Sequence, residues 1–438
     1  MAISLNVKNT LCSVFSDRHM KDILSGTVAA FTLKVLAAGL VFGFNVLIAR
    51  FFGAEGAGLY YLTLSVVTLG VVIGRFGLDI ALLRFAAAAA ARKDWAVVRG
   101  VSKRGISTSL IISVFVSLVT LLAAPLIAHY LFHDDRLVSL IRWMSLAIVP
   151  MVLTFIFGQL LRSLQLIQKS HFIQNVCVPA IGIIVLLLIR RRWAVQGATV
   201  AYVAGAGISA LIGYWLWRRA VPRGDEISSS VKISELISVG TPLFCIAGVN
   251  LISNWASIFL LGIFGHKSDV GVFSVAMRTA MLTSFILQAV GSIAAPKFAA
   301  LYYQGDIRSL ETIAKKSTRL MIVAAMPIAI LFTLFPQWIM GFFGIQFSAG
   351  GYLLSIMTIG QLVNVATGNV ILLLMMSGKE IIARNNNAMG AFINVLLCLA
   401  LIPFFGPLGG AIAVTVAVAI QNIAAFFAVK RSLGITAI

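Results

Sequence analysis

The sequence predicts an all-α polytopic membrane protein with about twelve transmembrane helices in two six-helix lobes and both termini cytoplasmic. Three observations carry this reading. Hydrophobic residues occupy 60% of the 438 positions and charged residues only 11%, and the mean hydropathy is +1.01. A water-soluble globule of that composition would leave too much apolar surface in water. Apolar runs near the roughly 20-residue spanning length recur along the whole chain, and the cations gather between those runs. The formal charge of +20 therefore reads as a topology signal; nucleic-acid binding would need a basic patch on a soluble face.

Candidate spans fall near residues 25–50, 58–83, 105–132, 138–161, 171–189, 196–217, 237–263, 270–294, 318–335, 351–376, 387–403 and 408–429. With the N-terminus inside, the inner segments hold most of the cations, among them Arg84, Arg92, Lys93, Arg99, Lys103, Arg104, Lys169, Arg218, Arg219, Lys315, Lys316, Arg384 and Lys430. Arg190, Arg191 and Arg192 are the main exceptions outside, with Arg50, Arg136 and Lys267 as isolated ones. The bias sets an even number of spans. The polar N-terminal stretch, with Lys8, Asp17, Arg18, Lys21 and Asp22, has neither the apolar core nor the small-residue cleavage site of a signal peptide. Cys12, Cys177, Cys245 and Cys398 form no CxxC unit and read as inert core residues, so neither disulfide nor metal is expected.

Internal similarity divides the chain. Phe52-Gly53 followed by Gly58-Leu59-Tyr60 matches Phe264-Gly265 followed by Gly271-Val272-Phe273, and Arg84-Phe85-Ala86-Ala87 matches Lys297-Phe298-Ala299-Ala300. The offset that takes Gly58 to Gly271 also takes Arg84 to Lys297, Lys103 to Lys316 and Gly197-Ala198 to Gly410-Ala411. Several matches in one register imply a repeat. Since each half holds an even number of spans, the halves should be related by an axis along the membrane normal. The expected organisation is a lobe over residues 1–220, an inner linker over 221–236 and a second lobe over 237–438.

Two such bundles leave a cavity between them, and ionisable residues inside spans are its usual markers. Lys34 lies about 13 Å from the inner end of the first span at a rise of 1.5 Å per residue, near the middle of a hydrocarbon core roughly 30 Å thick. Arg278 reaches a comparable depth in the eighth span. A cation at mid-helix costs roughly 2.5 to 3.5 kcal/mol unless it meets water, a partner or a ligand, so both are assigned to the cavity. Arg75, nearer the inner end of the second span, is better explained by snorkelling along its long side chain. Asp79, one turn away, is the acid clearly inside a span; an i, i+4 ion pair with Arg75 is the plain reading and ion coupling the sharper one. Among the amides at membrane depth, Asn45, Asn250, Asn254 and Gln288, on the first, seventh and eighth spans, are the preferred cavity candidates, while Gln159, Asn175, Gln361, Asn364 and Asn369 are expected to hold helices together. An interior with cations and almost no acids attracts an anion, and phosphate oxygens suit Lys and Arg.

The stretch Asn45 to Tyr60, with Arg50-Phe-Phe-Gly53-Ala-Glu55-Gly-Ala-Gly58-Leu-Tyr60, followed by Phe76-Gly-Leu-Asp79 and Leu83-Arg84-Phe85, resembles the opening of polysaccharide biosynthesis flippases of the multidrug, oligosaccharidyl-lipid and polysaccharide exporter superfamily. Ala295-Pro-Lys-Phe-Ala-Ala-Leu-Tyr302, Gly305-Asp306, Phe335-Pro336, Gly360-Gln361-Leu-Val-Asn364 and Leu401-Ile-Pro403 extend the likeness over the whole chain. The resemblance implies two six-helix lobes around an alternating-access cavity in a bacterial inner membrane. It implies transfer of an undecaprenyl-pyrophosphate-linked oligosaccharide from the cytoplasmic to the outer leaflet for cell-surface polysaccharides such as an O-antigen. Basic cavity residues would hold the pyrophosphate, and by position Lys34, Arg75 and Arg278 can be proposed. The implied partners are the lipid-linked oligosaccharide, membrane lipids and a downstream polymerase or ligase. A fourteen-span, lipid II-type arrangement is disfavoured because no two extra spans are found.

Two rivals follow. A drug antiporter of the same superfamily would favour acidic cavity residues for cations and coupling ions. A membrane-embedded glycan polymerase or ligase would need a sizeable outer loop with acids and bases for chemistry, and the outer loops here are short. His129, His133, Asp134 and Asp135 are the one suggestive outer cluster; with too few converging ligands for a metal, they read as a solvated loop. No Walker Lys-Ser/Thr element is present, so neither ATP hydrolysis nor a cofactor is expected.

Overall fold

The structure is a computed structural model describing residues 18–189, 194–222, 224 and 232–436, with side chains from Thr32 onward. Arg190, Arg191, Arg192, the N-terminal charges before Arg18 and half of the expected linker lie outside the described residues.

The described residues contain ten apolar helical stretches long enough to span a bilayer. Two of them are hairpins. The stretch Arg18–Arg75 breaks at Gly53 (φ 68°, ψ −172°), and the Tyr61 hydroxyl donates to Asn45 Oδ1 at 2.9 Å. In a straight helix those two residues would stand about 24 Å apart. The stretch Glu380–Leu433 breaks at Gly406 (φ 54°) between Pro403 and Pro407. There Asn386 Nδ2 donates to the Gln421 carbonyl at 2.8 Å and Gln421 Nε2 to Asn387 Oδ1 at 2.7 Å. Glycine accepts the positive φ that other residues resist, and the prolines remove ladder hydrogen bonds on either side. The described residues thus make twelve crossings, which puts both described ends on one side, the terminal face.

The remaining crossings are Trp95–Leu131, Arg136–Ser163, Ile167–Ile189, Gln196–Ala220, Ile233–Phe264, Lys267–Tyr303, Ile307–Leu334 and Gly351–Met376. They are the third to sixth and the seventh to tenth. The third shows how composition orients them. Ile111, Phe115, Leu118 and Leu122, at helical spacing, are exposed as a lipid-facing stripe. Ser102, Ser109, Ser113, Ser117 and Thr120 turn inward, where small hydroxyl residues permit close helix packing.

Three features depart from the expected spans. The second crossing stops at Arg75, turns through Phe76 (φ 46°) and Gly77 (φ 70°), and resumes as Leu78–Ala91. A side chain at Gly77 would place its Cβ 2.2 Å from the Gly240 carbonyl oxygen, so the turn exists where two backbones meet. Between the ninth and tenth crossings the chain forms two short helices, Pro336–Gly341 and Ile345–Ser348, in the segment between two candidate spans. Cys245 is exposed, unlike the buried Cys177 and Cys398, so it is not the core residue the sequence suggests.

Candidate functional site

The two lobes are sealed against each other at the face opposite the termini, and the seal is built from the repeat. A Cβ on Gly58 would lie 1.7 Å from the Lys267 carbonyl oxygen, and one on Gly271 would lie 1.9 Å from the Ala54 carbonyl oxygen. Gly58 and Gly271 are the repeat-matched pair, and the same offset takes Ala54 to Lys267. Residues equivalent by a two-fold operation touch reciprocally only where the axis passes. The axis therefore runs along the membrane normal between the second and eighth crossings. Around it, Arg50 Nε donates to the Phe342 carbonyl at 2.7 Å, the Ala54 N–H to Gln346 Oε1 at 3.0 Å and Lys267 Nζ to the Phe132 carbonyl at 2.6 Å. The two short helices after Leu334 thus act as a cap that one lobe lays over the other's first hairpin.

On the terminal side of this seal lies a cavity with two arms. One, of about 500 Å³, is lined by Lys34, Met151, His171, Gln174, Asn175, Phe285 and Gln288, among others. The second, of about 410 Å³, is lined by Thr68, Arg75, Asp79, Phe155, Gln159, Gln174, Asn250, Asn254 and Trp255, among others. Gln174 lines both. The first arm lies between the first and eighth crossings and the second between the second and seventh, while the fourth and fifth crossings form the back wall of each. On the terminal face the second arm is flanked by the Gly77–Gly240 approach and by Phe76 stacked on Phe244 at 4.9 Å.

The structure distributes the expected site residues over three groups. Lys34 and Gln288 line the first arm from opposite lobes, with His171 on its back wall. Arg75, Asp79, Asn250 and Asn254 share the second arm. Snorkelling does not describe Arg75: its guanidinium lies 4.3 Å from the Phe155 ring centre and donates to Asp79 at 3.2 Å. The helix break between the two residues places Asp79 in the first turn of Leu78–Ala91, where a carboxylate also meets the positive end of the helix. Asn45 and Arg278 form the third group. Asn45 is buried and spends its Oδ1 on Tyr61, and Arg278 sits over the rings of Tyr61 at 4.8 Å and Trp255 at 5.4 Å. Arg278 therefore joins the lobes through the Tyr61 ring, whose hydroxyl is held by Asn45 of its own hairpin, and neither Asn45 nor Arg278 lines either arm. Such cation–π pairs are worth about 0.5 to 2 kcal/mol, a lobe-to-lobe bond that must break whenever the rings part.

The opposite-face cluster is an ion-pair network. Arg136 bridges Asp134 at 2.8 Å and Glu55 at 2.7 Å, and His129 meets Asp135 at 3.2 Å. Burial works against ionisation of Asp134, but the Arg136 hydrogen bonds outweigh it and hold the carboxyl below its ordinary value. Among the described residues no group of three or more His, Cys, Asp or Glu side chains converges as metal ligands would.

Sequence reasoning missed the back wall. Gln159, Gln174, His171 and Asn175 lie on the fourth and fifth crossings; from the sequence, Gln159 and Asn175 are given to helix packing, and Gln174 and His171 are assigned no role. The available signal was Gly158, a residue without a side chain next to Gln159 in an otherwise bulky span.

With this geometry in place, the comparisons with known proteins are informative. A family model described as polysaccharide biosynthesis protein matches residues 23–302, more than half of the chain. The chain belongs to this family. Among curated relatives of the family member described here is stage V sporulation protein B of Bacillus subtilis, 24% identical over 87% of this chain and 80% of its own length. A probable low-salt glycan biosynthesis flippase of Haloferax volcanii is 26% identical over 54% of this chain and 52% of its own. Solved structures share the fold. A multidrug resistance MATE family transporter of the MOP superfamily, in an inward-facing conformation, superposes with a TM-score of 0.75, 16% identity and coverage of 92% and 94% of the two chains. The lipid II flippase MurJ, in an inward closed conformation, also gives 0.75, with 13% identity and coverage of 93% and 87%. The family member is thus a multi-pass membrane protein that shares the two-lobed fold of these structures.

Proposed function

We propose that this protein is a flippase that carries an undecaprenyl-pyrophosphate-linked oligosaccharide from the cytoplasmic to the outer leaflet of a bacterial inner membrane, by alternating access, for cell-surface polysaccharide synthesis. One observation carries the reading. Among the described residues the single acid that lines the two arms, Asp79, is already paired with Arg75, so Lys34 leaves the cavity with a net positive charge and amides around it. That balance favours an anionic headgroup bearing hydroxyls over a cation. The rival multidrug antiporter would need an acid left over for its cation or coupling ion, and a polymerase or ligase would need acids and bases gathered for chemistry at the outer face, where Glu55, Asp134 and Asp135 are taken up in ion pairs with Arg136 and His129.

The terminal face is taken as cytoplasmic, since the loops there carry most of the cations. The lobes are taken as residues 1–220 and 237–438, with 221–236 as the cytoplasmic joint, and the sealed state is the one open to the cytoplasm. The pyrophosphate is assigned to the Lys34 arm, the prenyl tail to the bilayer beside the first and eighth crossings, and delivery to a downstream polymerase or ligase. Proteoliposomes carrying a fluorescent undecaprenyl-pyrophosphate oligosaccharide test this reading. Lys34→Ala is expected to slow transfer about tenfold, the equivalent of about 1.4 kcal/mol and typical of a lost charge-assisted bond, with Lys34→Arg milder. Wild-type protein that moves no lipid-linked glycan but exports cationic dyes would establish the antiporter instead.

A further inference from the structure

The back wall shared by the two arms holds polar groups that the packing of the helices does not require. The fifth crossing is α-helical over Ile167–His171, widens to a π-helix over Phe172–Cys177 and returns to an α-helix over Val178–Ile189. A π-turn takes one extra residue and re-aims the side chains within it, and such turns concentrate at functional sites. Here it carries Gln174 against the fourth crossing. Gly158 makes the space: a Cβ there would lie 2.1 Å from Gln174 Nε2. Gln174 Nε2 donates to the Phe155 carbonyl at 3.3 Å, which orients the amide and leaves its Oε1 for the cavity. One turn along the fourth crossing from Phe155, the Oε1 of Gln159 is buried and has no hydrogen-bond partner among the described residues. A buried acceptor left unmade is costly, so the position selects for a donor arriving from the cavity. Across the second arm stand Asn250, Asn254 and the Trp255 ring.

Neutral amides that both donate and accept, facing an aromatic ring, match the hydroxyls and apolar face of a sugar ring. They offer nothing to a phosphate that Lys34 does not offer better. We infer that Gln159 and Gln174, seated by Gly158 and the π-turn, form the glycan-reading surface of the cavity, with Gln174 at the junction of the arms meeting the sugar next to the pyrophosphate. This inference rests on the flippase reading above. It adds that sugar selectivity resides in the fourth and fifth crossings and is separable from pyrophosphate binding by Lys34.

Equilibrium binding of radiolabelled undecaprenyl pyrophosphate, with and without an attached oligosaccharide, to purified full-length protein tests it. Gln159→Leu and Gln174→Leu should each weaken the glycan-bearing lipid about tenfold and leave the sugar-free lipid within about twofold, the size of effect expected for lost hydrogen bonds to a ligand. Gly158→Ala, which displaces Gln174 while keeping its amide, should resemble Gln174→Leu, and the Gly158→Ala/Gln174→Leu double variant should be no weaker than either alone. Should the glycine variant fail to fold, the two leucine variants still decide the question. Equal loss for both lipids, or no loss for either, would overturn the inference while leaving the flippase reading intact. Wild-type protein that binds neither lipid would overturn that reading and this inference with it.

Discussion

Gly271→Ala is expected to reduce lipid transfer at least tenfold and to leave the opposite face open to labelling from outside. The added Cβ would stand 1.9 Å from the Ala54 carbonyl oxygen, and neither atom belongs to a side chain that can swing away. Relief requires the second and eighth crossings to part, which opens the seal around the axis. Alternating access needs both end states to be reachable, and a bias of about 1.4 kcal/mol against the sealed state already changes its population ratio tenfold. A clash between two backbones should exceed that. Gly58→Ala should act in the same direction, because its Cβ would meet the Lys267 carbonyl oxygen at 1.7 Å. A single cysteine introduced at Glu55, beside the seal, reports the state through reaction with a membrane-impermeant maleimide. Faster labelling together with slower transfer is the expected pair of results; unchanged labelling and unchanged transfer in both variants would show that the glycine contact does not control the seal.

The glycine pair also marks what the sequence makes legible. Matching Gly58 to Gly271 required only the register of the repeat, and a six-span repeat implies an axis along the membrane normal. That the two residues touch could not be read, because a repeat fixes the direction of the axis and not which equivalent residues it passes between. The same distinction separates the site residues. Depth along a helix follows from counting at 1.5 Å per residue, and it brought out Lys34 and Arg278 alike. Rotation about the helix does not follow in a chain that is apolar on all sides, and it is rotation that turns Lys34 to the cavity and Arg278 to the Tyr61 and Trp255 rings. Gln174 was hidden for a further reason: the π-turn that aims it changes the helical period, so no regular face drawn on the sequence would have placed it beside Gly158.

Arg75→Leu is expected to destabilise the protein markedly, and Arg75→Leu/Asp79→Leu to recover most of the loss while remaining weak in transfer. Asp79 keeps only 8% of its side chain exposed and Arg75 19%. Removing the guanidinium strands a carboxylate beside the Phe155 ring, and breaking a buried pair in this way costs about 3 to 5 kcal/mol, the lower end applying where cavity water reaches the group. Replacing both charges removes the stranded group as well. Asp79→Asn works in the opposite sense. It keeps Arg75 stacked on Phe155 and raises the positive charge of the cavity, so the undecaprenyl pyrophosphate should bind more tightly and unfold the protein at a higher temperature when present in excess. Thermal unfolding of the detergent-solubilised variants, with and without that lipid, measures all three effects. Transfer driven by an imposed proton or sodium gradient then separates the two roles open to Asp79. If the carboxylate serves only to hold Arg75, Asp79→Asn retains the wild-type response to the gradient; if the response disappears while the lipid still binds, Asp79 is the coupling group, and its pairing with Arg75 in this state is the resting position of a switch.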